Sequence, residues 1–230
     1  MFDWGGTLTR WHPIDIADTW RSVARAVHGH AAEPAVLEDL ALRLFEVDER
    51  LWARCRDGCE SSRFAEVLAA CELADSAELL AAHVALWEPH TELDPDVPPL
   101  LAGLRERGLK VGLLSNTIWP AAQHDAWLAR DGVAHLFDGT VYSSEIPWVK
   151  PHPEAFRAAM AAVGVADPAR VVFVGDRPFE DIHGAQRVGM RAVLVPHTVI
   201  PPEARGPVQG EPDAVVRRLL DLLDVLDGWT

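Results

Sequence analysis

Lysine is scarce in this chain, and positive charge is scarce as a whole. The 230 residues include two lysines, Lys110 and Lys150, and the net charge is −14 because 35 acidic side chains face 21 lysines and arginines. Nucleic-acid backbones and anionic membrane surfaces are bound through clustered cations, so neither is an expected partner. A small anionic substrate stays compatible with this balance if the site supplies its own cation.

Long apolar runs and a leader segment are also missing. No apolar stretch approaches the roughly eighteen residues that a membrane helix requires, and no basic, apolar leader precedes the first motif. We therefore predict a cytoplasmic protein without a membrane partner.

Cysteine is rare and odd in number. Cys55, Cys59 and Cys71 fall in one helical stretch, which predicts reduced thiols and not a disulfide framework. Cys55 and Cys59 have the spacing to share a metal ion, but no histidine or second cysteine pair nearby completes four ligands. Structural thiols are the preferred interpretation.

The stretch from 15 to 90 has the pattern of helices almost throughout. Apolar residues recur at three- and four-residue spacing, as in Leu37, Leu40, Leu44 and Leu51. We predict four helices and no strand there, which together form a small helical bundle.

The pattern changes after the proline-rich joint ELDPDVPPL. Short apolar runs such as KVGLL and RVVFVG alternate with predicted helices over 99–107, 120–130, 153–163, 179–188 and 215–226. This alternation indicates a parallel sheet covered on both faces. The predicted fold class is α/β: a doubly wound, Rossmann-like core over 1–12 and 91–230, interrupted by a four-helix insert over 13–90.

Polar residues gather at four predicted strand ends, where open parallel sheets bind their ligands. They are Asp3 with Thr7, Ser115 with Asn116, Lys150, and Asp176 with Asp181. Ordinary alternatives exist: Ser115 as a loop hydroxyl, Lys150 as a surface charge, Asp176 as a helix cap.

Taken together, these side chains fit phosphoryl transfer. A carboxylate nucleophile needs a divalent cation so that two anions can approach, and a hydroxyl and an amine to hold the phosphoryl oxygens. Further carboxylates must hold the metal, and oxygen ligands suit Mg²⁺.

Four segments resemble, in order, the motifs of the haloacid dehalogenase-like hydrolase superfamily. FDWGGTL resembles its DxDGT motif, LLSN its second motif, SSEIPWVKPHPEAF its third and FVGDRPFEDIHGAQRVGM its fourth. The helical insert looks like the family's cap, which closes over the site and shapes substrate choice.

The resemblance implies a set of roles around a small phosphorylated substrate. Asp3 is the implied nucleophile, and Ser115 and Lys150 hold the phosphate and orient Asp3. The implied substrate-binding residues are Gly6, Thr7, Ser115, Asn116 and Lys150. The implied Mg²⁺ ligands are Asp3, the Gly5 carbonyl, Asp176 and Asp181, the last directly or through water. We expect a monomer or a homodimer.

Gly5 is the main departure from the family pattern. Phosphatases of this family carry a second aspartate there, which protonates the leaving oxygen and later activates water. Losing a general acid/base costs about 10²- to 10⁴-fold in rate. The leaving group is then one that needs little protonation, such as an acyl phosphate or an acidic phenol, or a histidine such as His12 or His28 replaces the acid.

A second departure is that only Met1 and Phe2 precede the nucleophile, where family members carry a full central strand. Either the true start lies upstream or the strand is unusually short. A short central strand is expected to lose ladder hydrogen bonds and to weaken the placement of Asp3.

Other chemistries in the superfamily remain as alternatives or are excluded. A dehalogenase also lacks the second aspartate, but resembles SSNxxD at the fourth motif and carries an aromatic residue at the position of Gly5. A phosphonoacetaldehyde hydrolase needs a cap lysine, and 11–95 contains none. A non-catalytic binder of a phosphorylated ligand is favoured by Gly5 and disfavoured by the retained polar set.

Four tryptophans lie within a few residues of the motifs: Trp4, Trp11, Trp119 and Trp148. They either form an aromatic wall that selects an aryl substrate or pack beneath the cap. Packing is preferred because tryptophan is usually largely buried.

Overall fold

Four helices form the inserted cap. The computed structural model describes residues 1–10, 14–29, 31–196 and 210–229. The cap helices are α1 (Ile16–His28), α2 (Pro34–Gly58), α3 (Phe64–Ala70) and α4 (Ala77–Val84). Asp15 caps α1 by accepting from Ala17 N, and Ser76 caps α4 by accepting from Leu79 N.

The cap has its own apolar core. Trp20, Leu44 and Leu68 are fully buried between the helices, and Trp20 Nε1 donates to Asp48 Oδ2 at 3.0 Å. Burial raises the pKa of Asp48 to about 6, against the opposing hydrogen bond from Trp20. This core also takes in Ile118 from the α/β part, so the cap packs against it, and the limits of the insert at 13 and 90 stay a prediction.

The sheet consists of parallel strands. They are β1 (Gly112–Ser115), β2 (Gly139–Tyr142), β3 (Val172–Gly175), β4 (Arg191–Leu194) and β5 (Ala214–Val215). β1 pairs with β2, β3 pairs with β4, and β4 pairs with β5, all in parallel. The helices around the sheet are α5 (Val97–Glu106), α6 (Ala121–Arg130), α7 (Pro153–Ala162), α8 (Gly184–Arg187) and α9 (Leu222–Asp227).

The first three residues join the two halves of the sheet. Phe2 bridges Leu113 on one side and Val174 on the other. Phe2 N donates to Gly112 O, Leu114 N to Phe2 O, Asp3 N to Val174 O and Val174 N to Met1 O, each at 2.9 Å. The hydrogen bonds of this segment to both neighbours are formed around Phe2, so Asp3 is anchored at the carboxyl edge.

This architecture confirms the predicted α/β fold class, with two local corrections. The helix expected over 215–226 is wrong in its first half, because Val215 lies in β5 and the α-helix begins only at Leu222. The helix expected over 179–188 begins as a π-helical turn, Pro178–His183, and continues as α8. None of the helices in the described ranges is long and apolar enough to cross a membrane.

A buried histidine links the cap to the core. His83 on α4 accepts a hydrogen bond at Nδ1 from Trp119 Nε1 at 3.1 Å, and its Nε2 lies 3.4 Å from Thr19 Oγ1. Because Nδ1 accepts, the neutral ring carries its proton on Nε2. Burial lowers the pKa of His83 to about 3, so this contact stays neutral at ordinary pH.

A second buried histidine gives a testable pH dependence. His124 on α6 stacks on Tyr142 with ring centroids 4.6 Å apart, its Nε2 lies 3.0 Å from Thr117 Oγ1, and burial lowers its pKa to about 3. Its folded pKa lies below the unfolded value of about 6.5, so its contribution to stability is complete above that pH and is lost as pH falls. We expect the free-energy advantage of the wild type over His124→Phe to shrink by about 1.4 kcal/mol between about pH 7.5 and about pH 5.5.

Urea unfolding at the two pH values measures this difference. Thr117→Val is the matched control, since it removes the same hydrogen bond but no titrating group, and its cost should be equal at both pH values. A wild-type advantage over His124→Phe that does not change with pH would contradict the prediction.

Candidate active site

Asp3 projects from the carboxyl edge of the sheet into a tight turn. Gly6 has φ +83°, a conformation that favours glycine, and Thr7 N and Leu8 N both donate to Trp4 O. The turn brings Thr7 Oγ1 within 3.1 Å of Asp3 Oδ2. The Asp3 residue is only 7% exposed, so its carboxylate depends on protein partners.

Lys150 supplies the main positive charge. Its Nζ lies 2.5 Å from Asp3 Oδ1 and 2.7 Å from Asp181 Oδ1, and the residue is 3% exposed. Burial acts to lower the pKa of Lys150, but the charges of Asp181 and Asp3 outweigh it and hold that pKa above its usual value. The lysine is therefore a fixed ammonium between two carboxylates.

Asp176 and Asp181 lie beyond the end of β3. Asp176 Oδ1 is 3.4 Å from Thr7 Oγ1, and Asp181 Oδ2 accepts from Arg177 N at 2.9 Å. Asp181 folds back over Gly175 so closely that a Cβ there would lie 2.3 Å from the Asp181 carboxyl carbon, so only glycine fits before Asp176. Burial raises the pKa of Asp181 to about 6, with Lys150 opposing the rise.

The carboxylates of Asp3, Asp176 and Asp181 have the chemistry of a divalent-cation site. One oxygen from each lies within 4.8 Å of the others, and all three residues are buried. Lys150, together with Arg177 Nε at 3.8 Å from Asp176 Oδ2, offsets only part of this negative charge. Oxygen donors with an excess of negative charge suit Mg²⁺, so the residues present fit that ion.

Ser115, Asn116 and Gly5 lie at the same edge but make different contacts. Ser115 is buried at the end of β1. The Asn116 side chain forms two hydrogen bonds with the Lys150 backbone. Its Nδ2 donates to Lys150 O at 3.0 Å, and its Oδ1 accepts from Lys150 N at 2.8 Å. Gly5 is exposed, and a Cβ added there would meet no atom within 4 Å.

The two histidines considered as replacement acids gain no support. His28 is exposed at the last position of α1, and His12 lies outside the described residues.

The four tryptophans do not form one wall. Trp4 and Trp119 belong to a packed cluster around Trp127, with centroids 5.1 and 5.3 Å from it. Trp148 stacks on His152 elsewhere, and Trp11 lies outside the described residues. Packing is thus the interpretation that the structure supports.

The strap, the cap segment Cys59–Phe64, touches the core beside Lys150 and was not predicted from the sequence. Ser61 N donates to Pro147 O and Val149 N donates to Cys59 O, each at 3.0 Å. At its far end Phe64 N donates to Ile118 O at 2.7 Å. A short polar run between two helices, GCESSR, was the only signal in the sequence.

This fold and site define a class of hydrolase, and the family comparison agrees. The family model described as haloacid dehalogenase-like hydrolase matches residues 1–189. The chain belongs to this family.

One curated relative is a phosphatase. Over 114 residues the chain is 41% identical to a phosphoserine phosphatase from Thermus thermophilus, which covers 49% of this chain and 45% of that protein. The chain thus matches about half the length of this curated relative.

Solved structures support the fold alone. A HAD phosphatase from Thermococcus onnurineus superposes with a TM-score of 0.67 at 23% identity, covering 99% of this chain and 96% of that one. An L-2-haloacid dehalogenase from Xanthobacter autotrophicus reaches 0.61, also at 23% identity, covering 100% and 98%. Since both chemistries share the fold, residues of the site must decide between them.

Proposed function

We propose that this protein is a Mg²⁺-dependent phosphatase that hydrolyses a small phosphorylated metabolite through a phosphorylated Asp3. The observation that carries the proposal is the Asp3 carboxylate itself, held by Lys150 at 2.5 Å and Thr7 at 3.1 Å beside two more buried carboxylates. The similarity to a phosphoserine phosphatase supports a phosphorylated substrate over a halogenated one.

The first step is attack by Asp3. A carboxylate oxygen of Asp3 forms a bond to phosphorus while the bond to the leaving oxygen breaks, and that oxygen departs with its electron pair. Lys150 and Thr7 each hold one carboxylate oxygen, which fixes the rotation of the carboxylate toward the substrate. The Lys150 ammonium also offsets negative charge on the phosphoryl oxygens.

The second step returns the enzyme to its starting state. Water adds to phosphorus and its protons stay with the phosphoryl group, the bond from phosphorus to the Asp3 oxygen breaks, phosphate leaves as H₂PO₄⁻ and the Asp3 carboxylate is restored. Asp3, Asp176, Asp181 and the Gly5 carbonyl would hold Mg²⁺, which supplies charge neutralisation for the approach of two anions.

Gly5 restricts the leaving groups that the proposed reaction can expel at a useful rate. With Gly5 at the position where phosphatases resembling this chain carry their acid, an alkoxide would have to leave unprotonated, which is slow. A carboxylate or an acidic phenolate leaves without a proton, so acyl and aryl phosphates are the expected substrates. The net charge of −14 supports a small molecule, and not a nucleic acid, as the partner.

A substrate panel tests the proposal. The purified protein with Mg²⁺ is assayed against alkyl, aryl and acyl phosphates and a 2-haloacid, with release of phosphate or halide as the measurement. We expect phosphate release from acyl and aryl phosphates at rates at least about 10²-fold above that from alkyl phosphates, and its loss when EDTA removes the metal. Halide release would favour a dehalogenase instead, and no release from any compound would favour a non-catalytic phospholigand binder.

A further inference from the structure

The Lys150 backbone is hydrogen-bonded to the side chain of Asn116. Asn116, the single asparagine of the chain, places its whole carboxamide on the Lys150 backbone. Its Oδ1 accepts from Lys150 N at 2.8 Å and its Nδ2 donates to Lys150 O at 3.0 Å. With both amide atoms engaged in this way, Asn116 is poorly placed to bind the phosphoryl group directly, the role that the family resemblance implied.

The backbone just before Lys150 is hydrogen-bonded to the cap. Val149 N donates to Cys59 O and Pro147 O accepts from Ser61 N, so the position of this stretch depends on the strap. The partners of the lysine ammonium, Asp3 and Asp181, belong to the sheet edge. Asn116 follows β1 directly, so its bonds connect Lys150 to the same sheet that carries those carboxylates.

We propose that Asn116 is a positioning residue that acts through Lys150, fixing the lysine backbone to the sheet so that Nζ stays between Asp3 and Asp181. This inference rests on the proposed function for its catalytic consequence, but not for its structural one. A lysine side chain has four rotatable bonds, so an anchored backbone reduces the conformations from which Nζ must find two carboxylates at 2.5 and 2.7 Å.

The scarcity of lysine allows a test that needs no activity. Acetic anhydride acetylates accessible amines, and mass spectrometry of the resulting peptides follows Lys150 and Lys110 separately. Lys110 is exposed and serves as the internal reference in the same sample. In Asn116→Ala we expect acetylation of Lys150, relative to Lys110, to accelerate by roughly tenfold, because the buried lysine is released more often.

Two further variants keep this test decisive. Asn116→Asp retains an acceptor for Lys150 N but sets a carboxylate oxygen against Lys150 O in place of the donor, so its acetylation rate should also exceed that of the wild type. Gln123→Ala, which removes a carboxamide from α6 and leaves both Asn116–Lys150 hydrogen bonds in place, should behave as wild type. Unchanged Lys150 acetylation in both folded Asn116 variants would overturn the proposal.

Kinetics then separate positioning from substrate binding. We expect Asn116→Ala to lower kcat about 10- to 100-fold, the usual cost of losing an orienting partner, with KM changed less than about threefold. In a Lys150→Met background the same change should have almost no further effect, because the residue it positions is gone. A raised KM at unchanged kcat, or an equal effect in both backgrounds, would assign Asn116 to the substrate instead. If the wild type releases no phosphate from any panel compound, the proposed function fails, while the acetylation experiment still decides the role of Asn116.

Discussion

Asp3→Asn is expected to reduce phosphate release from the best panel substrate by roughly 10³-fold or more. Asparagine keeps the size of the side chain, but its amide oxygen cannot replace a carboxylate as the nucleophile. The change also removes one of the three carboxylates that fit Mg²⁺ and one of the two anions that hold Lys150. Steady-state phosphate release with Mg²⁺ measures the effect.

Trapping the phosphorylated enzyme tests whether Asp3 itself is the nucleophile. Acid quenching during turnover should leave a phosphoryl group, labile to hydroxylamine, on the wild-type peptide that contains Asp3 and none on the Asn variant. Asp167→Asn is the matched control, since Asp167 lies before β3 at the opposite edge of the sheet and asparagine can keep its hydrogen bond from Ala169 N. Turnover retained in Asp3→Asn would show that Asp3 is not the nucleophile.

Much of the site's layout was predictable because parallel strands end at one edge. Asp3, Ser115 and Asp176 each follow an apolar run, and a sheet built from those runs must bring the three together. Lys150 was also predicted to lie at a strand end, which was wrong: β2 ends at Tyr142, and Lys150 lies in the loop before α7. Its role in the site became credible through the motif around it, and the structure then placed its ammonium beside Asp3.

What the sequence could not indicate were the contacts made through tertiary structure. Asn116 stands next to Ser115 in the chain, so a substrate-facing role was the natural expectation, whereas its partner, Lys150, is 34 residues away. The contacts of the strap were equally unpredictable, because Cys59 and Ser61 contact the distant loop before Lys150 through backbone hydrogen bonds. Such bonds use atoms that every residue carries, so residue type holds no information about them.

The short strand β5 illustrates a different limit. Val215 starts an apolar run that continues toward the end of the chain, and its spacing fits a helix as well as a strand. In the structure the edge of β4 was open to pairing, and Val216 N donates to Leu194 O at 3.0 Å. Whether a neighbouring strand offers a free edge is decided by the whole fold and not by the local pattern.

Gly5→Asp is expected to raise hydrolysis of alkyl phosphates by about 10²- to 10⁴-fold, the usual contribution of a general acid/base. The backbone allows the change: Gly5 is not among the glycines with positive φ, and a Cβ there would meet no atom within 4 Å. The new carboxyl group would stand two residues after Asp3, the position at which phosphatases resembling this chain carry their acid. Parallel assays of an alkyl and an acyl phosphate measure the gain.

The acyl phosphate is the internal reference for this gain. Its carboxylate leaves without a proton, so the added acid should change its turnover much less than that of the alkyl phosphate. Gly5→Asn provides the matched control, because it fills the same space and alters the backbone similarly but can neither donate nor take up a proton. If Gly5→Asp and Gly5→Asn behave alike, or if both substrates respond equally, then Gly5 does not mark a missing acid. The preference for stable leaving groups would have to come from elsewhere in the site.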